Sequence, residues 1–170
     1  MFIIYININD IKIHYKIEGE GKPIILLHGW GANLNTFNNI SKSLSENFKV
    51  YSIDLPGFGE SVIGLPLSID EVTNIIREFV NKLEIDKPII LGHSYGGRIA
   101  ITYASKYDVD KLVLVSSAGI KENFASASTL ACFLEGAIIS SFGVVILIKR
   151  LITVVIAKVI ITPQMRPVTK

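Results

Sequence analysis

Ser94 stands between Gly92 and Gly96 in the run Pro88-Ile-Ile-Leu-Gly-His-Ser-Tyr-Gly-Gly97. A serine with glycine two residues before it and two after it is a G-x-S-x-G nucleophile elbow, in which a strand turns at once into a helix. The chemistry accounts for the residue types. A sharp corner strains the serine backbone and lets the hydroxyl project free of the sheet, where it can attack a carbonyl carbon. The flanking chain passes so close that side chains at Gly92 and Gly96 would clash. The helix that follows directs its first N–H groups toward the reacting centre, where they favour a developing negative charge. Gly97 extends the pattern, since a second glycine lets the helix approach the sheet. Other glycine chemistries fail on their spacing. The chain has no G-x-x-x-x-G-K-S/T, and Gly57-Phe-Gly59 lacks the third glycine of a dinucleotide site because position 62 is Val.

A serine hydroxyl at its ordinary pKa is a poor nucleophile and needs a base to take its proton. The histidines are His14, His28 and His93, and none follows Ser94 within the 170 residues. His14 lies on the polar face of an alternating stretch with nothing nearby in sequence to partner it, and is expected at the surface. His93 is the immediate neighbour of Ser94 and cannot readily turn its ring to the serine hydroxyl across a strained corner. The acids after Ser94 are Asp108, Asp110, Glu122 and Glu135. Asp108 and Asp110 precede the next strand, at the wrong end for a site. Glu122 is the one plausible acid, and it has no histidine to orient.

These groups need elements to hold them. Residues 2–8 and 11–17 are rich in β-branched isoleucine and are separated by Asn9-Asp10, so they read as a hairpin with one face at least partly solvated. Ile24–Leu27 is continuously apolar, as in a strand buried on both faces, and ends in His28-Gly-Trp-Gly31. Residues 33–48 suit a surface helix. Val50–Ile53 is the next strand, and Asp54-Leu-Pro-Gly-Phe-Gly-Glu-Ser61 the loop after it. Ser68 with Glu71 forms a capping box ahead of a helix whose apolar residues run from Val72 to Leu83. Pro88–Leu91, the elbow, a helix and the strand Lys111–Val115 complete the pattern. A hairpin followed by alternating strands and helices is an α/β arrangement with a mainly parallel sheet, flanking helices and ligands beyond the carboxyl ends of the strands. His28–Gly31, Asp54–Ser61, His93–Tyr95 and Ser116–Gly119 all fall at those ends.

Taken together, Ile24–Gly31, Asp54–Ser61 and Gly92–Gly97 resemble the α/β-hydrolase superfamily, of the esterase, lipase and C–C hydrolase type. The resemblance spans residues 1 to about 121. It implies that Ser94 is the nucleophile and that the backbone N–H groups of Trp30 and Tyr95 form the oxyanion hole. It also implies that His28, Gly29, Gly92, His93, Gly96, Gly97 and Asp54 shape the site, with His28 ordering its loop and Asp54 bracing rather than serving as the triad acid. That family takes its acid and histidine from two later strands, which have no convincing counterpart here. The implied activity is hydrolysis of a small carboxylic ester or related carbonyl substrate, impaired for want of the base. A non-catalytic remnant or a ligand-binding module on the same fold is the alternative. A haloperoxidase or C–C hydrolase would share the nucleophile.

Residues 1–121 therefore read as the core domain and 122–170 as a tail of different character. After Asn123 there is no further asparagine and Glu135 is the last acid. The tail admits three readings: a frameshifted or truncated end, a lid over 124–150, or membrane contact through 130–161. Gly136–Ile148 alone is shorter than the ~20 residues a spanning helix needs. A net charge of +2 does not argue for nucleic acid, and a single cysteine, Cys132, gives neither a disulfide nor a metal pattern. No cofactor or metal is expected, and the partner is a small-molecule substrate. The first ten residues lack the basic start of a signal peptide, so a cytoplasmic location is expected.

Overall fold

A computed structural model describes residues 2–118 and the strands Ala137–Ile139, Val145–Lys149 and Ile152–Ala157. The chain begins with a hairpin of β1 (Phe2–Ile8) and β2 (Ile11–Glu18), in register from Phe2 opposite Ile17 to Ile8 opposite Ile11. Asn9 and Asp10 make the two-residue turn with φ of 47° and 65°. Left-handed backbone at both positions suits the twist of the strands, and Asn and Asp tolerate it better than most residues.

β2 pairs antiparallel with β4 (Phe48–Ile53). From there the sheet is parallel: β4 beside β3 (Lys22–Leu27), β3 beside β5 (Ile89–His93), and β5 beside β6 (Lys111–Val115). These six strands form a mixed, mostly parallel sheet in the order β1-β2-β4-β3-β5-β6. The sheet continues from β6 through three more segments, β9 (Ile152–Ala157), β8 (Val145–Lys149) and β7 (Ala137–Ile139), with β9 parallel to β6 and β8 and β7 antiparallel. The remaining expectations for 122–170, as a lid or a membrane contact, lie largely outside the described residues. Among the described residues, no helix is long and apolar enough to cross a membrane.

Alternation along the central strands feeds two cores. Ile25 and Leu27 of β3, Ile53 of β4 and Ile90 of β5 pack against α2 (Ile69–Lys82) and α3 (Tyr95–Lys106), chiefly Ile76, Phe79, Ile99 and Tyr103. Ile24, Leu26, Val50, Ile89 and Leu91 face the other way, onto Phe37 and Leu44. Helices on both faces let a parallel strand be apolar at every position. The expected helix over 33–48 is shorter than its pattern. A single 3-10 turn, Leu34–Phe37, leads into α1 (Asn38–Leu44), and the strand β4 takes over at Phe48.

α2 starts as its sequence predicts. The Ser68 hydroxyl accepts from the Glu71 N–H at 3.3 Å, and the Glu71 carboxylate accepts from the Ser68 N–H at 2.7 Å. Ser68→Ala is expected to lower stability by about 1 kcal/mol. Urea denaturation of the two chains checks this, and an unchanged midpoint would remove the cap from the account.

The hairpin departs from expectation at its solvated face. His14 and Lys16 are buried, as are their neighbours Ile13 and Tyr15. The loop after β4 folds back over this face: the His14 N–H donates to Ser61 Oγ at 2.9 Å, and Asp54 N–H donates to the His14 carbonyl at 2.9 Å. His14 is not a surface residue, because a segment forty residues away in sequence covers it.

Candidate active site

The strands β3, β4, β5 and β6 end at one edge of the sheet and deliver His28, Asp54, Ser94 and Ser116 there. Ser94 joins β5 to α3 with φ 50° and ψ −110°. Left-handed backbone at a residue with a side chain is strained, and it persists only where surrounding contacts enforce it. Here they do. Ser94 N–H donates to the Val115 carbonyl at 3.1 Å, and the Ser94 carbonyl accepts from Gly97 at 3.1 Å and from Ala118 at 3.0 Å.

The glycines around it have no room to be anything else. A Cβ on Gly92 would lie 2.6 Å from Gly97 Cα, and one on Gly96 would run into the Leu27 and His28 carbonyls. A Cβ on Gly97 would lie 2.6 Å from Ser117 Cβ. Gly96 N–H donates to the His28 carbonyl at 3.0 Å, which ties the first turn of α3 to the loop after β3. A Cβ on Gly29 would lie 3.0 Å from His93 Nδ1 and 3.4 Å from Ser94 Cβ. Residues 28–30 therefore lie directly against 93–96. The N–H groups of Trp30 and Tyr95 have no acceptor among the described residues.

His28 is fully buried. Its Nδ1 lies 2.8 Å from the Gly29 carbonyl, and its Nε2 accepts from the Leu55 N–H at 3.0 Å. One donating and one accepting nitrogen describe a neutral ring. Burial pushes its pKa below the usual 6.5, against an opposing pull from the Gly29 carbonyl and Asp54. A depressed histidine contributes stability that is fully present above 6.5 and is lost as the pH falls through its folded value. The chain is expected to unfold at lower urea at pH 5.5 than at pH 7.5, and His28→Gln is expected to flatten that dependence. A slope unchanged in the variant would assign the effect elsewhere. His93 Nδ1 is buried against Gly29 without a hydrogen-bond partner among the described residues.

Asp54 is 2% exposed and accepts three hydrogen bonds. Leu34 N–H donates to Oδ1 at 2.6 Å, Glu60 N–H to Oδ2 at 2.8 Å, and His14 Nδ1 to Oδ2 at 2.7 Å. One carboxylate thus binds the loops after β3 and β4 and the hairpin. Sequence reasoning missed His14 as part of this assembly. The available signal was Asp54 itself, since a buried carboxylate calls for donors or a cation. Asp110 lies at the opposite end of the sheet and pairs with Lys22 at 2.9 Å.

Beside Ser94 the aromatic rings of Trp30, Phe58 and Tyr95 meet edge to face, with Trp30 5.0 Å from Phe58 and 5.2 Å from Tyr95. They wall a cavity of about 350 Å³ whose far side is the loop after β4, including Ile63, Leu65 and Leu67. A polar cavity of about 400 Å³ lies at the other end of the sheet, among Arg77, Lys106 and Asp108, and holds none of these residues.

Residues 22–132 match the model of a family described as alpha/beta hydrolase fold. The chain belongs to the alpha/beta hydrolase fold family. Among its curated relatives is a soluble epoxide hydrolase of Corynebacterium sp. (strain C12), 37% identical over 108 residues, 62% of this chain and 37% of that protein. A pimeloyl-acyl-carrier-protein methyl ester esterase of Vibrio cholerae is 32% identical over 109 residues, 63% of this chain and 41% of that protein. An esterase structure from Exiguobacterium antarcticum superposes with a TM-score of 0.64 at 30% identity, over 68% of this chain and 45% of that one. The chain spans less than half the length of the curated relatives it matches. The matched proteins include esterases and an epoxide hydrolase, so family membership gives the scaffold and not the reaction.

Proposed function

We propose that this alpha/beta hydrolase cleaves a small carboxylic ester or related carbonyl substrate with Ser94 as nucleophile. The observation that carries the reading is the Ser94 backbone, held left-handed at the strand-to-helix corner by bonds from both sides. Ser94 Oγ attacks the carbonyl carbon and loses its proton to a base. The carbonyl oxygen takes the negative charge, and the N–H groups of Trp30 and Tyr95 donate to it. One such fixed donor is worth on the order of 3 kcal/mol in the transition state. Collapse of the tetrahedral intermediate releases the alcohol with a proton and leaves an acyl-serine, which water then hydrolyses to the acid and free Ser94.

The base is the weak point of these 170 residues. His28 has both ring nitrogens engaged, His14 is turned to Asp54, and His93 lies against Gly29. The reading therefore expects slow turnover by this chain alone. The competing reading is a ligand-binding module that uses the same cleft without chemistry, favoured by the lack of any histidine after Ser94. Prolonged incubation with an excess of a small fluorophosphonate, with imidazole present as a base, separates them. An adduct on the peptide containing Ser94 is the expected result. No adduct, or one on another residue, would overturn the nucleophile assignment.

A further inference from the structure

The loop Pro56–Leu67 has two tasks. Its first half is bound down through Asp54 and Ser61, as described above. Its second half, Val62-Ile-Gly-Leu-Pro-Leu67, makes neither helix nor strand and turns apolar side chains outward, with Val62 and Leu65 each 77% exposed. A lone exposed leucine is ordinary. Leu65, however, lines the same cavity as Trp30, which is itself 74% exposed. The two line a concave apolar surface, and its volume of about 350 Å³ falls within the ~300–1,000 Å³ typical of small-molecule sites.

We propose that this cavity seats the apolar part of the substrate, so that the chain acts on uncharged esters carrying a hydrophobic acyl or alkyl group. This inference rests on Ser94 being the nucleophile and adds the substrate class. Among the described residues, no side chain lining the cavity carries a charge. The polar groups of the lining side chains are the Tyr95 hydroxyl and the Trp30 indole N–H, and burial, against an opposing pull from Arg98, pushes the Tyr95 pKa above the ordinary tyrosine value, so its hydroxyl stays protonated near neutrality. Glu60 faces Tyr5 and His14 on the hairpin side of the loop, while Arg98 is exposed on α3 and acts on the Tyr95 hydroxyl from outside the lining. No side chain lining the cavity would pair with a carboxylate or ammonium, and a charge loses hydration without compensation when it is pressed against an apolar wall. Location matters as well. Trp30 and Tyr95 wall the cavity with their rings and carry the two free backbone N–H groups, so an apolar group seated there excludes water beside the donors, where their bonds to an oxyanion gain strength.

Trp30 is the chain's one tryptophan, so its fluorescence reports on this cavity alone. The full 170-residue chain is titrated with straight-chain 2-alkanones, which mimic the ester carbonyl and cannot be hydrolysed. The same titration uses alkanoates and alkyltrimethylammonium ions of equal length. The alkanones are expected to shift Trp30 emission and to bind about two- to fourfold more tightly with each added methylene, up to the capacity of the cavity. The two charged series are expected to bind at least about tenfold more weakly. Leu65→Asp changes an exposed side chain that the fold does not depend on, and is expected to weaken alkanone binding by a similar factor. The inference is overturned if affinity is independent of chain length, if either charged series binds as tightly as the ketones, or if Leu65→Asp leaves binding unchanged. Fluorophosphonate labelling of Ser94 keeps the two readings apart. Labelling without alkanone binding removes the substrate class and leaves the hydrolase, while alkanone binding without labelling leaves the cleft and removes the hydrolase.

Discussion

Imidazole added to the chain is expected to accelerate hydrolysis of a small neutral ester above the imidazole-only rate, and Ser94→Ala is expected to abolish that acceleration. The expectation follows from what the site holds and what it lacks. On the proposed reading, the strained corner and close-packed glycines present the Ser94 hydroxyl, and the unpaired N–H groups of Trp30 and Tyr95 serve as donors to an oxyanion. Among the described residues, no histidine ring nitrogen is hydrogen-bonded to the Ser94 hydroxyl. A positioned general base contributes roughly 10²–10⁴-fold to such a reaction, and a diffusing imidazole recovers part of that, about tenfold or more. Without added base, the serine and its alanine replacement are expected to differ little, because groups that act as a unit are strongly non-additive. The imidazole-dependent part of the rate is therefore the decisive readout. If it survives in Ser94→Ala, another group is the nucleophile. If the unaltered chain shows none, the binding-module reading gains.

Asp54→Ala is expected to destabilise the chain by about 3–5 kcal/mol, a large share of the ~5–15 kcal/mol typical of a domain. The side chain is 2% exposed and accepts from Leu34, Glu60 and His14 at once. Removing it leaves two backbone donors and a buried imidazole without their acceptor, and each such loss is penalised separately. The consequences reach the site, because Asp54 ties the loop that carries Phe58 and Leu65 to the loop that follows Trp30. His14→Ala is expected to have a smaller effect, since Asp54 keeps its two backbone donors. A double-mutant cycle on urea midpoints isolates the His14–Asp54 coupling. A change below about 1 kcal/mol in Asp54→Ala would show that the three bonds are replaced by water.

Local pattern carried much of the fold. The continuous apolar run at Ile24–Leu27, the Ser68–Glu71 capping box and the strand Lys111–Val115 each have a signature that their immediate neighbours complete, and each appears in the structure where the pattern places it. The helix over 33–48 was less legible. Apolar spacing does not say where a helix ends when a strand four residues on draws the chain into the sheet. The hairpin was legible as a hairpin, and its solvated face was not. Alternation describes a strand with one covered side, and β2 is covered on both because the loop after β4 returns over it.

The corner at Ser94, the two glycines that let β5, α3 and the His28 loop meet, and the lack of a histidine between Ser94 and residue 170 could all be read along the chain. Those are local facts, set by which residues tolerate a left-handed or close-packed backbone. That Asp54 and His14, forty residues apart, form one buried pair is a consequence of tertiary packing. The same holds for Trp30, Phe58 and Tyr95 walling a single cavity, with Leu65 on its far side. Contacts of that kind depend on the order in which strands are laid into the sheet. A carboxylate at one strand end and an imidazole on another are polar residues like any other until β2 is placed beside β4 and the loop closes over both.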